Sequence, residues 1–281
     1  MERNLAIITG ADGGMGTEIT RAVAIAGYHV IMACYNPLKA ESVKQCIIRE
    51  TGNTDLEILP LDLASMESVL TFANLILNRA HEVVLLMNNA GTMETGLHLT
   101  VDGMERTVSV NYVGPYLLTR KLLPLMGQGT RIVNMVSCTY TIGKLYFPDF
   151  FFRGRKGGFW RISVYSNTKL ALLLFTLELA ERVKERGITV NAADPGIVST
   201  DIITMHQWFD PLTDIFFRPF VRTPRQGAAT AIGLLLDKKM TGETGTFNLN
   251  NHSKPLSDKY INHVQKRLLW DETEKLVKNW L

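Results

Sequence analysis

The chain has 281 residues, of which 46% are hydrophobic and 20% are charged, so it carries enough apolar side chains for a substantial core. Its formal net charge is only +3, from scattered Lys and Arg, which argues against nucleic-acid binding. The three cysteines stand in no metal-ligand or paired spacing, so we expect buried thiols in a reducing compartment and no metal site. The longest apolar run, Leu170–Phe175, is far too short to span a membrane, and no signal peptide is recognisable. A soluble cytoplasmic protein is therefore expected.

Strand-like and helical patterns alternate from the first residues onward. Short apolar runs predict six β-strands, and the segments between the first of them show helical spacing. This alternation predicts an α/β fold, a single Rossmann-type doubly wound parallel sheet with helices on both faces. No low-complexity linker divides the chain, so residues 1–281 are predicted to form one domain. The predicted strands are Leu5–Thr9, Tyr28–Cys34, Leu56–Leu61, Val83–Met87, Arg131–Val136 and Ile188–Ala193, and the first helices are Met15–Ala26, Lys39–Glu50 and Met66–Leu77.

Two aromatic-rich segments, 144–163 and 200–224, interrupt the alternation. Both follow strands at the end where open α/β sheets bind ligands. We interpret them as the walls and lid of an apolar substrate pocket. Two other interpretations stay open: the aromatic residues pack a structured insertion, or, with the basic residues among them, they contact a membrane surface.

A glycine-rich turn follows the first predicted strand, in the sequence Thr9-Gly10-Ala11-Asp12-Gly13-Gly14-Met15-Gly16. Glycines permit a tight turn, bring backbone N–H groups close to a phosphate and precede the positive end of a helix dipole. The spacing Gly10-x-x-x-Gly14-x-Gly16 differs from the common Gly-x-Gly-x-x-Gly fingerprint. Taken alone, such a turn is equally compatible with phosphate binding and with close packing.

Tyr165 and Lys169 are four residues apart and so share one face of a predicted helix. Removing hydride from an alcohol also requires a base that takes the hydroxyl proton near neutral pH. The positive charge of Lys169 would stabilise the phenolate of Tyr165 and lower its pKa from the ordinary value of about 10. Such a pair also occurs on exposed helices, but the apolar run Leu170–Phe175 directly after it predicts a buried helix.

Asn111 lies in a predicted helix four residues before Pro115. Proline has no N–H, so the carbonyl of Asn111 loses its helical hydrogen-bond partner. A simple helix kink at the proline would explain the same pattern, and such a kink is compatible with a functional role for the freed carbonyl.

Taken together and in order, these motifs resemble the short-chain dehydrogenase/reductase family, most closely its retinol-dehydrogenase-like branch. Besides the glycine turn and the Tyr165–Lys169 pair, the resemblance includes Asn88-Asn89-Ala90-Gly91 after the fourth strand and Pro195-Gly196 after the sixth. It runs from about Leu5 to Phe247. The long separation of Ser137 from Tyr165 is typical of that branch. The resemblance implies an NAD(P)-dependent oxidoreductase.

The resemblance also implies a role for each matching residue. Ser137 would orient the substrate oxygen, Tyr165 would exchange its proton, and the Asn111 carbonyl would hold a water that relays protons through Lys169. The residues expected to contact the dinucleotide are Gly10, Gly14, Met15 and Gly16 at the pyrophosphate, Asp62 and Leu63 at the adenine, Asn89 and Ala90 along the ribose, Tyr165 and Lys169 in the active site, and Pro195, Gly196, Val198 and Thr200 at the nicotinamide. Asp62 is equally interpretable as an acid that caps its own loop.

Cofactor preference depends on the end of the second strand, where an acid favours NAD and an Arg favours NADP. Relatives that prefer NADP carry Arg where Tyr35 stands, and no acid replaces it here. With Lys39 nearby, NADP is predicted and NAD is possible.

The predicted substrate is a bulky apolar alcohol, ketone or aldehyde. The resemblance also leads us to expect a homodimer or homotetramer, formed through the helix that bears Tyr165 and Lys169. Two other functions are considered: a dinucleotide-sensing protein without catalysis, and an epimerase or dehydratase on the same fold. The presence of Asn111, Ser137, Tyr165 and Lys169 together argues against the first, and the apolar lid segments argue against the second.

Overall fold

The computed structural model describes residues 4–198 and 222–281. One mixed β-sheet runs through this part of the chain. The strand order is β3-β2-β1-β4-β5-β6-β7-β8, and only β8 is antiparallel to its neighbour within the described residues. The order reverses direction between β1 and β4, which is the switch point where such sheets bind ligands. The strands are β1 (Leu5–Thr9), β2 (His29–Cys34), β3 (Leu56–Pro60), β4 (Val83–Asn88), β5 (Arg131–Met135), β6 (Thr189–Asp194), β7 (Phe247–Leu249) and β8 (His252–Lys254).

Helices cover both faces of this sheet. The predicted first three helices and six strands are present, with ends that differ by a few residues, so the doubly wound prediction is confirmed. The short strands β7 and β8 were not predicted, nor were the helices Asp149–Arg153, Pro224–Leu236 and Asp258–Ile261. The helices are α1 (Gly14–Ile25), α2 (Pro37–Thr51), α3 (Met66–Arg79), α4 (Arg106–Val108), α5 (Gly114–Leu122), α6 (Asp149–Arg153), α7 (Arg161–Val183), α8 (Pro224–Leu236), α9 (Asp258–Ile261) and α10 (Lys266–Val277).

The core has two parts, one on each face of the sheet. Alternate residues of β1 illustrate the division: Leu5 and Ile7 belong to one cluster, Ala6 and Ile8 to the other. We call the first the aromatic face, because α5, α7 and α10 contribute large rings to it, and the second the small-residue face, because alanines and glycines of α1 and α8 pack there. The aromatic face includes Tyr112, Tyr116, Phe150, Phe175 and Trp270.

Part of the aromatic segment 144–163 belongs to this core rather than to a lid. The rings of Phe150 and Phe151 are buried, and Phe150 packs against Tyr112 with 5.8 Å between ring centroids. The prediction of a substrate lid is therefore wrong for these two side chains, whose apolar area is removed from water inside the fold. Phe152 and Trp160 in the same segment are exposed. Of the other predicted lid segment, all but residues 222–224 lies outside the described part of the chain.

The C-terminal helix α10 closes the aromatic face. Trp270 stacks on Phe175 with ring centroids 6.0 Å apart, and the Tyr112 hydroxyl shares a 2.8 Å hydrogen bond with Thr273. The apolar run 170–174 of α7 is buried within the chain, so it does not offer the exposed face through which we expected α7 to join a second copy. No helix in the ranges 4–198 and 222–281 is both long and apolar enough to cross a membrane.

Candidate active site

The backbone of the glycine turn between β1 and α1 is very closely packed. Gly10 has a φ of +62°, which favours glycine, and a Cβ placed on Gly16 would stand 1.9 Å from the Gly10 carbonyl oxygen. Any larger residue at position 16 would push the first turn of α1 off the strand. The turn therefore leaves the backbone of Gly13 and Gly14 exposed at the positive end of α1, which fits the pyrophosphate of a dinucleotide.

A cavity of about 370 Å³ opens above this turn, at the switch point of the sheet. It brings together predicted cofactor residues that are far apart in the sequence. Gly91, which belongs to the motif after β4, also contributes to its wall, as do Thr92, Arg106 and Val110, which the sequence analysis did not single out. The predicted residues that line the cavity are Gly10, Gly14, Met15, Gly16, Tyr35, Asp62, Leu63, Asn89 and Ala90.

Asn89 fastens the loop after β4 to the glycine turn. Its side-chain amide donates hydrogen bonds to the carbonyls of Thr9 at 3.0 Å and Gly10 at 3.2 Å. In return, the Thr9 hydroxyl accepts the backbone N–H groups of Asn89 and Ala90 at 3.0 Å. Asn89 thus shapes the cavity from below.

Asp62 lines the cavity, and its carboxylate accepts the N–H of Ala64 at 2.8 Å. Asp62 therefore caps its own loop at the wall of the cavity, and its contact with the adenine stays a prediction.

The end of β2 holds an acid that the sequence analysis missed. Asp12, from the glycine turn, interacts with the thiol of Cys34. The pKa of this thiol is raised to about 12, mainly by burial and next by the charge of the Asp12 carboxylate. Tyr35 is 68% exposed beside it. Lys39 is exposed in the first turn of α2, and its N–H is capped by the Asn36 side chain at 3.1 Å. The cavity wall therefore contains an acid, Asp12, while the cation Lys39 lies in the first turn of α2, outside that wall.

Ser137 and Tyr165 meet at the carboxyl end of β5. Ser137 is half-buried and begins a short turn of 3₁₀ helix, in which its hydroxyl accepts the N–H of Thr139 at 3.4 Å. Burial raises the pKa of the Tyr165 phenol above its usual value, a hydrogen bond with Ser137 opposes that rise, and the charge of Asp194 adds to it. The prediction that Lys169 lowers this pKa is therefore wrong for the protein's own groups, because the pKa of Tyr165 is raised and burial is the largest cause.

Lys169 is 3% exposed, and its ammonium donates a 2.9 Å hydrogen bond to the carbonyl of Met135, the last residue of β5. It lies over the Tyr165 ring, 5.3 Å from the ring centroid. Burial lowers the pKa of Lys169 to about 8, and the charge of Asp194 opposes that change. Its Nζ would be 3.7 Å from a Cβ on Gly91, so the lysine stands at the edge of the cavity.

Asn111 is fully buried in a π-helical turn, Ser109–Val113, just before Pro115. Its amide donates to the Thr92 carbonyl at 2.8 Å and to the Thr168 hydroxyl at 3.1 Å, and its side-chain oxygen accepts the Thr92 N–H at 2.7 Å. The side chain therefore joins the cavity wall to α7, and Pro115 leaves the backbone carbonyl without an N–H in α-helical register.

The loop after β6 is held by tight packing. Gly196 has a φ of +74°, and a Cβ there would lie 2.9 Å from the guanidinium of Arg222. A Cβ on Gly227 of α8 would lie 2.5 Å from Val198 and 3.0 Å from the sulfur of Met15, so this glycine lets α8 hold both predicted cofactor residues. Pro195, Gly196 and Val198 are not part of the cavity wall, and Thr200 lies outside the described residues, so the contact of these four residues with the nicotinamide stays a prediction.

Comparison with known proteins agrees with this arrangement. The sequence matches the short chain dehydrogenase family over residues 4–148 and 153–208. It is 33% identical over 273 residues to mouse retinol dehydrogenase 12, covering 96% of this chain and 85% of that protein. Among solved structures, an uncharacterized protein from Mycobacterium paratuberculosis superimposes with a TM-score of 0.76 at 28% identity, over 99% of this chain and 94% of that one. A protein from Beutenbergia cavernae, assigned as an NAD(P)-dependent gluconate 5-dehydrogenase with NADP bound at low occupancy, superimposes with a TM-score of 0.68 at 25% identity, over 87% and 93%.

The chain belongs to the short-chain dehydrogenase/reductase family, in its retinol-dehydrogenase-like branch, and is an NAD(P)-dependent oxidoreductase.

Proposed function

We propose that the protein transfers hydride between NADP and a bulky apolar alcohol or carbonyl compound, with Tyr165 as the group that exchanges the proton. The observation that carries this proposal is the meeting of Ser137, Tyr165 and Lys169 at the end of β5, next to the cavity above the glycine turn. When bound, the dinucleotide supplies or accepts the hydride. In reduction, Tyr165 donates its proton to the carbonyl oxygen, which Ser137 orients, and Lys169 then donates a proton to the resulting phenolate.

Tyr165→Phe tests the mechanism. We expect the turnover number to fall by about 10²–10⁴-fold, the range for loss of a general acid–base group. Dinucleotide binding should persist, because the cavity above the glycine turn is not changed. The control is Tyr28→Phe, which removes a hydroxyl from a half-buried tyrosine on the small-residue face. Turnover by Tyr165→Phe at the rate of this control would refute the mechanism.

An apolar substrate is supported by exposed side chains in the segments that flank the site. Trp160 and Ile162 precede Tyr165, Ile142 follows Ser137, and Ile197 follows β6; each is at least 44% exposed. Exposed large apolar side chains in the segments next to a site favour an apolar partner. The similar proteins named retinol dehydrogenases support the same class.

A screen of aldehydes with NADPH tests this class. We expect retinaldehyde or a long-chain aldehyde to give a kcat/KM at least tenfold above that of glyceraldehyde, a small polar aldehyde, because each buried methylene contributes roughly 0.8 kcal/mol. Equal values for both would remove the apolar class.

The preference for NADP rests on Lys39 at the start of α2 and on the NADP bound by the similar structure from Beutenbergia cavernae. Asp12 acts against it, since a carboxylate near the ribose repels a 2′-phosphate. Measuring the dissociation constants of NADPH and NADH by fluorescence separates the two residues. Lys39→Gln should weaken NADPH binding alone, and Asp12→Asn should strengthen it alone. A wild-type protein that binds NADH more tightly than NADPH would overturn the preference.

A further inference from the structure

Asp194, the last residue of β6, is a buried acid that the family motifs do not assign to any role here. Its side chain is 1% exposed, and Oδ1 accepts the N–H of Gly196 at 2.9 Å. Oδ2 has no hydrogen-bond partner in the described part of the chain. A buried carboxylate with one unpaired oxygen lowers the stability of the fold, which makes Asp194 a candidate for a functional role.

The strand register brings this carboxylate to the same place as the lysine. Met135, whose carbonyl accepts the Lys169 ammonium, is paired with Ala193, the residue before Asp194. The N–H of Val136 also donates to the Ala193 carbonyl at 2.9 Å, which keeps the ends of β5 and β6 together. Asp194 therefore ends the strand next to β5, whose last residue binds the ammonium of Lys169 from helix α7, and Tyr165 lies one helical turn before the lysine.

Charged and titratable groups surround Asp194 from three directions. Helix α7 contributes Tyr165 and Lys169, and the turn after β5 contributes the Cys138 thiol and the Tyr140 phenol. Arg222 approaches from the segment before α8, where it donates to the Pro195 carbonyl at 3.2 Å. Burial raises the pKa of Asp194, while Arg222 and Lys169 favour its ionised form.

We propose that Asp194 is a positioning residue whose negative charge keeps the protons on both Tyr165 and Lys169, so that the site is set to reduce a carbonyl rather than to oxidise an alcohol. A negative charge opposes formation of the phenolate and stabilises the ammonium. In reduction, the carbonyl carbon gains the hydride and its oxygen gains the Tyr165 proton; Lys169 then reprotonates the phenolate and is itself reprotonated from solvent. This inference rests on the proposed function of Tyr165.

The direct test is a titration of Lys169 that requires no turnover. In protein labelled with [ε-¹³C]lysine, the Lys169 signal is assigned with Lys169→Met and followed by NMR against pH. Wild-type protein should titrate at about 8. Asp194→Asn, which keeps an oxygen that can accept the Gly196 N–H, should lower this pKa by roughly one unit. An unchanged pKa in folded Asp194→Asn would overturn the proposal, and Asp271→Asn on the exposed side of α10 serves as the matched control.

Arg222→Gln gives an independent variant with the opposite sign. Removing this cation leaves the charge of Asp194 less neutralised, so the pKa of Lys169 should rise. If Asp194→Asn fails to fold, this titration decides, and a fall or no change refutes the proposal.

The pH profile of carbonyl reduction separates an electrostatic role from a merely structural one. The rate is full below the pKa of the proton-donating group and is lost as pH rises through it, so in Asp194→Asn the loss should begin at lower pH, by the shift that NMR measures. A lower rate with an unmoved profile would show a structural role only. If Lys169 titrates as expected but the wild-type protein reduces none of the carbonyl compounds, the proposed function fails while the electrostatic role of Asp194 stands.

Discussion

The two faces of the sheet are packed by opposite means. On the aromatic face, large rings fill the space between helices. The ring centroid of Tyr116 is 5.0 Å from that of Phe175 and 5.2 Å from that of Trp270. On the small-residue face, missing side chains allow α1 and α8 to approach each other and the glycine turn: a Cβ on Gly14 would lie 3.2 Å from Pro224. The first face is vulnerable to truncation and the second to enlargement.

The two kinds of packing correspond to two parts of the candidate site. The helix that bears Tyr165 and Lys169 belongs to the aromatic face, where dense packing fixes its position. The glycine turn belongs to the small-residue face, where backbone must be left bare for a phosphate. On the proposed function, catalysis would depend on densely packed side chains, and cofactor binding on backbone that is left uncovered.

Truncating the aromatic face should have the largest effect on stability. Phe175→Ala removes a ring that contacts Tyr112, Tyr116 and Trp270, so we expect a loss of about 3–5 kcal/mol in the free energy of unfolding. Urea denaturation followed by tryptophan fluorescence measures it. Phe152→Ala, an exposed ring 23 residues earlier in the chain, is the control and should cost far less. Equal losses in both variants would contradict the view of this face.

Enlarging the small-residue face should cost less stability and more cofactor affinity. Gly16→Ala places a methyl group 1.9 Å from the Gly10 carbonyl, so the turn must shift, at a cost of about 1–3 kcal/mol. We expect NADPH binding, measured by fluorescence titration, to weaken at least tenfold. Gly158→Ala is the control, since a Cβ there meets nothing within 4 Å. If Gly16→Ala binds NADPH like wild type, the turn does not hold the pyrophosphate.

Removing a single hydroxyl from the aromatic face should have the smallest effect. Tyr112→Phe deletes the buried 2.8 Å hydrogen bond to Thr273, whose own hydroxyl still donates to the Leu269 carbonyl at 2.6 Å. We expect a loss of about 1 kcal/mol in unfolding free energy, measured by urea denaturation. A loss as large as that of Phe175→Ala would mean that hydrogen bonding, rather than ring packing, holds α10 in place.

The doubly wound sheet could be predicted from sequence because each strand and helix carries its own local pattern. The cofactor cavity followed from the glycine turn and from the position of Asn89, both of which lie at strand ends in a parallel sheet. The placement of the Tyr165–Lys169 pair on a buried helix followed from the apolar run after it.

The rest depended on contacts that no local pattern records. Phe150 and Trp160 belong to one aromatic segment, yet one is buried in the core and the other is exposed, because only the packed chain decides which ring finds a partner. Asp12 could not be placed next to Cys34 from the turn alone. Asp194 did leave a signal, an acid at the end of a strand, but no local pattern shows that the strand end lies next to Lys169.

The position of α10 has a consequence for how the molecule is made. Tyr112 is joined to Thr273, 161 residues further along the chain, so the rings around Tyr112 stay uncovered until α10 has been synthesised. Closing so long a loop is slow, because entropy is lost before the contact is gained. We expect the nascent protein to expose apolar surface to solvent on the ribosome and to depend on chaperones until α10 packs against the rest of the fold.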